Sequence, residues 1–217
     1  MEAMSIVSNH LELKDREEPA VYLPKRMTEE EFVEWCDSDT WAEWIDGQVL
    51  VMSPVSFEHA RIADFLHRLV GDFVDDRDLG AVVTEPFQIR FVRLRRRRSP
   101  DVIFINKNRL PEPEDTHFEG APDLVIEVVS WESQNRDRRD KFIEYETAGV
   151  REYWIVDPVS KTVEAHILKG RKFVQFGPKL ETIRSKVLPG FYIKPAWLWR
   201  SRFPSVSSLL KEMAGKK

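Results

Sequence analysis

From His59 onward, apolar side chains fall at positions 62, 63, 66, 69, 70 and 73. Steps of three and four lay one apolar stripe along a helix, and this stripe predicts about four turns. The period is different elsewhere. DLVIEVVS (123–130) is almost continuously aliphatic or β-branched, the pattern of a strand buried on both faces, and SPDVIFI (99–105) and REYWIVD (151–157) follow the same pattern. TVEAHIL and KFVQF alternate and are joined at Lys169-Gly170, which predicts an antiparallel pair. AEWIDGQVLVMSP predicts a hairpin with Asp46-Gly47 as its turn. Thr28 with Glu31 forms a capping box that opens a short helix carrying Phe32, Val33 and Trp35. A further helix is expected over 137–148, ended by Gly149 in the left-handed conformation. AVVTEPFQIRFVRL is strand-like, 108–122 is a loop rich in Pro, Glu and Asp, and LPGFYIKPAWLWRSRF is an aromatic tail expected to lie as a lid on the sheet.

Helices and strands alternate without a break in composition or an internal repeat. The expectation is a mobile tail over 1–24 and one α/β domain over 25–217, built on a mixed β-sheet flanked by helices with extra antiparallel strands.

Composition narrows the partners. Of the 217 residues 42% are hydrophobic and 32% charged, enough for a packed core under a highly charged surface. No apolar run reaches the length of a membrane span, and the acidic N-terminus is unlike a signal peptide, so a cytoplasmic location is expected. The one cysteine, Cys36, excludes an intramolecular disulfide and a cysteine-based zinc site. Its setting, EFVEWCDSD, is that of a packed helical cysteine rather than a nucleophile. A net charge of −4 argues against a general polyanion-binding surface. Arginines nonetheless cluster at 90, 93 and 95–98, and again at Arg136, Arg138 and Arg139. Such runs are most often solvated loops or hairpin edges, but both flank acidic positions, and Arg136, Arg138 and Arg139 are candidate phosphate contacts.

Two acids sit inside apolar strands: Asp101 in PDVIFI and Glu127 in DLVIEVV. Burying an ionised carboxylate costs several kcal/mol unless a cation, a metal or hydrogen bonds compensate it. On neighbouring strands the two carboxylates would converge, and hard oxygens with room for water suit Mg²⁺ or Mn²⁺. Lys141 near the start of the following helix can point back to the strand end, and Asp137 and Tyr145 share its helix face at spacings of four. Against this stands a purely structural ion pair of Glu127 with Lys141, and Asp101 as a turn residue after Pro100; spacing alone leaves both open.

The ordered blocks WAEWIDGQVLVMSP, a helix led by His59, SPDVIFI, APDLVIEVVS, RDRRDKF and GVREYWIVDP resemble the Uma-type family of putative restriction endonucleases, in the PD-(D/E)XK nuclease superfamily. The similarity runs from about 28 to 164 and more weakly through the tail. It implies a restriction-endonuclease-like core and a Mg²⁺- or Mn²⁺-dependent endonuclease acting on DNA. It implies Asp101 and Glu127 as metal ligands and Lys141 as the catalytic lysine, displaced from the strand where Val129 now stands. Glu43 matches an upstream glutamate with a metal or water contact, although an exposed strand position beside the hairpin turn is an equal expectation. His59 matches a recurring histidine, and a plain helix-entry residue is the alternative. One departure is Ser130-Trp131-Glu132-Ser133, where the family reads serine-proline-serine.

Two rivals stand beside the nuclease. One is a nuclease-like fold that binds nucleic acid or assembles without cutting, which the acidic net charge favours. The other is an interaction protein using its seven tryptophans, Trp197 and Trp199 among them, at a dimer interface. A homodimer is also an expectation of the nuclease, because enzymes that cut both strands often pair.

Overall fold

The structure is a computed structural model that describes residues 20–37, 39–129, 136–177 and 181–215. A central six-stranded sheet has the order β12-β11-β10-β9-β7-β4. Its members are β4 (Gly80–Val83), β7 (Val102–Asn106), β9 (Leu124–Val128), β10 (Glu152–Asp157), β11 (Thr162–Lys169) and β12 (Lys172–Phe176). Only β9 and β10 run parallel, so the sheet is mixed. Helix α2 (Phe57–Asp75, 19 residues) covers one face, with Ser56 accepting the His59 backbone N–H at its start. The apolar stripe lands where its period directs it: Ile62, Leu66, Leu69, Val70 and Phe73 are buried against Val102, Phe104, Leu124, Ile126 and Trp154. The helix runs about five turns, because the cap at Ser56 adds a turn ahead of the stripe.

Successive strand residues face opposite sides. Leu124, Ile126 and Val128 therefore join the α2 core, while Val125 and Val129 face a second core containing Tyr145, Val150, Tyr153 and Ile155. Glu127 shares that second side. There the central sheet meets α3 (Phe142–Ala148) and a second six-stranded sheet, of order β1-β3-β2-β6-β5-β8. This sheet contains β1 (Ala20–Tyr22), β2 (Ala42–Ile45), β3 (Gln48–Met52), β5 (Gln88–Phe91), β6 (Arg96–Arg98) and β8 (His117–Glu119). The β2–β3 hairpin turns at Asp46 and Gly47, both at positive φ, and α1 (Glu29–Trp35) carries the full capping box.

Several expectations need correction. AVVTEPFQIRFVRL is two strands in two sheets: the proline at 86 has no N–H to continue a ladder, and the chain crosses between the sheets there. The loop over 108–122 holds the short strand β8, which adds to β5 in parallel. The helix expected over 137–148 begins as a π-helical turn, Arg136–Lys141, and becomes α-helical only from Phe142. The last residues of the expected tail form β1, antiparallel to β3. The C-terminal aromatic segment does lie on the sheet, on its α2 side, with Phe191 against Phe73 and Trp154, and it includes β14 (Tyr192–Ile193); β13 (Ile183–Arg184) precedes it, and α4 (Val206–Ala214), a helix the pattern did not suggest, follows it. Trp197 is buried against Tyr192 and Trp199 packs on the same core, which removes this pair as an exposed dimer surface. Among the described residues no helix is long and apolar enough to cross a membrane.

Candidate active site

Strands β7 and β9 are antiparallel with Val102 opposite Ile126, so the ladder's next step sets Asp101 beside Glu127. One Asp101 oxygen accepts the Val128 backbone N–H at 2.6 Å, and the other meets His59 Nε2 at 2.8 Å. His59 comes from the first turn of α2. Burial opposes its protonation, but the hydrogen bond to Asp101 and the charges of Asp101, Glu85 and Glu127 outweigh that and hold its pKa above the usual imidazole range.

Glu127 is answered from α3 and the turn before it. Lys141 Nζ donates to both Glu127 oxygens at 2.9 Å, and the Tyr145 hydroxyl donates to one of them at 2.7 Å. The Tyr145 phenol is pushed well up, first by burial and then by the charge of Glu127. Lys141 stands where the π-helical turn gives way to α-helix, and such turns frequently occur at functional sites.

Strand β2 delivers Glu43, which is fully buried rather than exposed beside the hairpin turn. It accepts from Arg98 at 2.7 Å and from the Ser99 backbone at 3.2 Å, and lies 3.6 Å from Lys141 Nζ. Arg98, 1% exposed, also grips both oxygens of Glu144 at 2.8 Å, and Arg96 adds a third contact to Glu144. The arginine run is thus not a solvated edge throughout. Arg97 and Arg98 are buried in β6, Arg97 and Arg90 hold Glu29, and Arg95 at the surface meets Asp46. These guanidiniums are committed to carboxylates within the protein.

The structure therefore brings together Glu43, His59, Asp101, Glu127, Lys141 and Tyr145. Arg139 is exposed on the π-helical turn. The side chains of Arg136, Asp137 and Arg138 lie outside the described residues, as does the 130–135 segment with Trp131 and Glu132. Three members of the cluster were not found by sequence: Arg98, Glu144 and Glu85. Glu85, between β4 and β5, is pushed up to about 7 by burial and by the charges of Asp101 and Glu43, against the pull of His59 and Lys141. An acid between an apolar strand and a proline, in VVTEPF, was the available signal.

A divalent cation suits the chemistry of these donors. They are hard carboxylate oxygens, and Glu85, pushed up first by burial and then by the charge of Asp101, adds another carboxyl beside them. The side chains are arranged around their own cations, however. Both Glu127 oxygens are on Lys141, both Asp101 oxygens are engaged, and among the described residues no group of three His, Cys, Asp or Glu is placed to hold a metal.

Comparison with protein families matches residues 29–196 to the family described as putative restriction endonuclease, Uma2. The chain belongs to this family. The Uma2 match takes in every strand and helix that contributes to the cluster. Among solved structures, a putative nuclease belonging to DUF820 from Anabaena variabilis superposes with a TM-score of 0.68 at 18% identity, over 80% of this chain and 97% of that one. This likeness is one of fold: a mixed sheet flanked by helices, with the second sheet against it. No curated protein matches the chain.

Proposed function

We propose that this Uma2 protein is a Mg²⁺- or Mn²⁺-dependent endonuclease that hydrolyses phosphodiester bonds of DNA. The observation that carries the reading is the convergence of Asp101, Glu127 and Lys141, from β7, β9 and the start of α3, at one buried point next to Glu43 and His59. Acids and a lysine this far from water need a reason, and family membership supplies the reaction class.

In this reading Asp101 and Glu127 would hold the cation, with Glu85 nearby. When bound, the cation supplies charge stabilisation at the scissile phosphate and a more acidic water. The chain's own groups do the positioning. The Val128 N–H and His59 fix the rotamer of Asp101, and Tyr145 and Lys141 fix that of Glu127. The Lys141 ammonium, between Glu127 and Glu43, is placed to orient water or to meet a phosphate oxygen. Attack of water on phosphorus breaks the bond to the 3′ oxygen and leaves a 5′-phosphate and a 3′-hydroxyl. Arg139, exposed on the π-helical turn that leads to Lys141, is proposed to meet the DNA phosphates together with Arg136 and Arg138. A homodimer carrying two such centres on one duplex belongs to the same reading; an unchanged monomer mass with and without DNA would contradict that part.

The non-cleaving alternative draws on one observation, the closure of both Glu127 oxygens by Lys141. The two part in a cleavage assay on plasmid and oligonucleotide DNA with Mg²⁺, Mn²⁺ or EDTA. The proposal expects metal-dependent product from the wild type and loss by orders of magnitude in Asp101→Asn and Lys141→Met. DNA binding that ignores the metal and yields no product supports the alternative, and cleavage by Asp101→Asn at the wild-type rate sinks the assignment.

A further inference from the structure

Phe57, in the first turn of α2, is 80% exposed, more than any other large apolar side chain among the described residues. One turn further on, the Arg61 guanidinium lies over the Phe57 ring at 5.6 Å and over the Phe203 ring at 4.4 Å. Its Nη2 donates to the Ser201 carbonyl at 2.9 Å and to that of Arg200 at 3.4 Å. Arg61 thus ties the chain at 200–203 to the start of the helix, and Arg200 and Arg202 are exposed there. Among the described residues neither of these two arginines pairs with a carboxylate, whereas Arg90, Arg95, Arg96, Arg97 and Arg98 all do. The acids in the first two turns of α2 are Glu58 and Asp64, and Asp64 is answered by Arg68 at 2.8 Å. On this surface the guanidiniums of Arg61, Arg200 and Arg202 are left against Glu58, in a chain whose net charge is −4.

The surface borders the carboxylate cluster. His59, two residues after Phe57 on the same helix, reaches Asp101 at 2.8 Å. Helices α2 and α3 lie on opposite faces of the central sheet. The surface and Arg139, on the π-helical turn that leads into α3, therefore stand on opposite flanks of the cluster.

We propose that Arg200, Arg202 and Phe57 form a second wall of the DNA-binding face, the arginines on backbone phosphates and Phe57 against sugar or base, so that a duplex over Asp101 and Glu127 is held from both flanks. The inference rests on the nuclease reading above and deepens it. Backbone phosphates call for exposed cations that no internal acid has claimed, and those contacts set the register of a duplex on a protein. An exposed apolar side chain beside them can pack on the groove or wedge at a base step. Arg61, held by two rings and two carbonyls, keeps the helix start and the arginine-bearing chain together for this contact. A second copy of the chain fits less well, because a two-fold pairing would set the same guanidiniums against one another.

The test uses the full-length protein and a fluorescein-labelled duplex. Anisotropy across a salt series in EDTA reads binding, and plasmid cleavage with Mg²⁺ runs in parallel. Wild type is compared with Arg200→Ala/Arg202→Ala and with Phe57→Ala. Arg61 binds the carbonyl of Arg200 and not its side chain, and all three replaced side chains are exposed, so both variants should melt near the wild-type temperature. The double variant should lower the salt slope by about 2, and Phe57→Ala should weaken binding about fivefold or more with the slope unchanged. Wild-type affinity and slope in both variants would overturn this wall while leaving the nuclease reading in place. A lower molar mass for Phe57→Ala than for wild type, without DNA, would mean that the surface joins two copies and would overturn it equally. Neither binding nor cutting by the wild type would overturn both readings.

Discussion

Replacing Arg98 by Met removes a guanidinium that is 1% exposed and joins two carboxylates. Three charge-assisted hydrogen bonds go with it, one to Glu43 at 2.7 Å and two to Glu144 at 2.8 Å. At about 1.5–3 kcal/mol each, their sum would exceed the observed range for such losses, because the abandoned partners relax unequally. The Glu144 side chain is 13% exposed and can recover water; that of Glu43, at 0%, cannot. Glu43 keeps the Ser99 N–H and the more distant Lys141 but loses its guanidinium partner. The cost therefore falls near that of breaking a buried pair, about 3–5 kcal/mol. In a chain of this size about 2–4 °C accompanies each kcal/mol, so the melting temperature should fall by about 6–20 °C. Thermal and urea unfolding of the wild type, Arg98→Met and Arg98→Met/Glu43→Gln would measure it. The double variant should recover most of the loss, because Gln still accepts from Ser99 and carries no charge. A single variant within about 1 kcal/mol of wild type, or a double variant no better than the single, would refute the reasoning.

Glu29 supplies a pH prediction. Burial raises its pKa, but Arg90 and Arg97 outweigh that and hold it below the usual value. A depressed carboxylate stabilises above its unfolded pKa and loses that contribution as pH falls through the folded one. Glu29→Gln should therefore melt below wild type at neutral pH, with the gap closing through and below the ordinary carboxylate range; a gap constant over that interval contradicts the ion pair's role. Gly80 has φ +153 and no room for a side chain, since a Cβ there would collide with the Ile105 carbonyl. Gly80→Ala should cost at least about 1–3 kcal/mol, and chemical denaturation showing no loss would mean the β4–β7 pairing is looser than described. Arg139→Ala should weaken DNA binding similarly across sequences and lower the salt slope by about 1; an unchanged slope removes Arg139 from the interface.

Local chemistry was readable in the chain. The Thr28–Glu31 box, the Asp46-Gly47 turn, the α2 stripe and the apolar strands depend on neighbours a few residues away, and each appears in the structure. What stayed hidden depends on distant pairing. Arg98 looks like surface charge until Glu43, 55 residues away, and Glu144, 46 residues away, fold onto it. The same holds for Glu43, which seems exposed only while the hairpin is considered without β6. The strand AVVTEPFQIRFVRL shows no change of period at Pro86, so its division between two sheets was not visible in hydrophobicity. Spacing left open whether Asp101 and Glu127 meet. The register of β7 on β9 sets them side by side, while their role toward a cation remains a proposal about chemistry.

That role is tested most directly by titrating Mg²⁺ and Mn²⁺ calorimetrically into the wild type and the Asp101→Ala/Glu127→Ala variant, each alone and with DNA present. The account predicts saturable binding to the wild type, strengthened by DNA and absent from the variant. Equal binding by both proteins, or none by the wild type even with DNA, would contradict it and leave Glu127 and Lys141 as a buried structural pair.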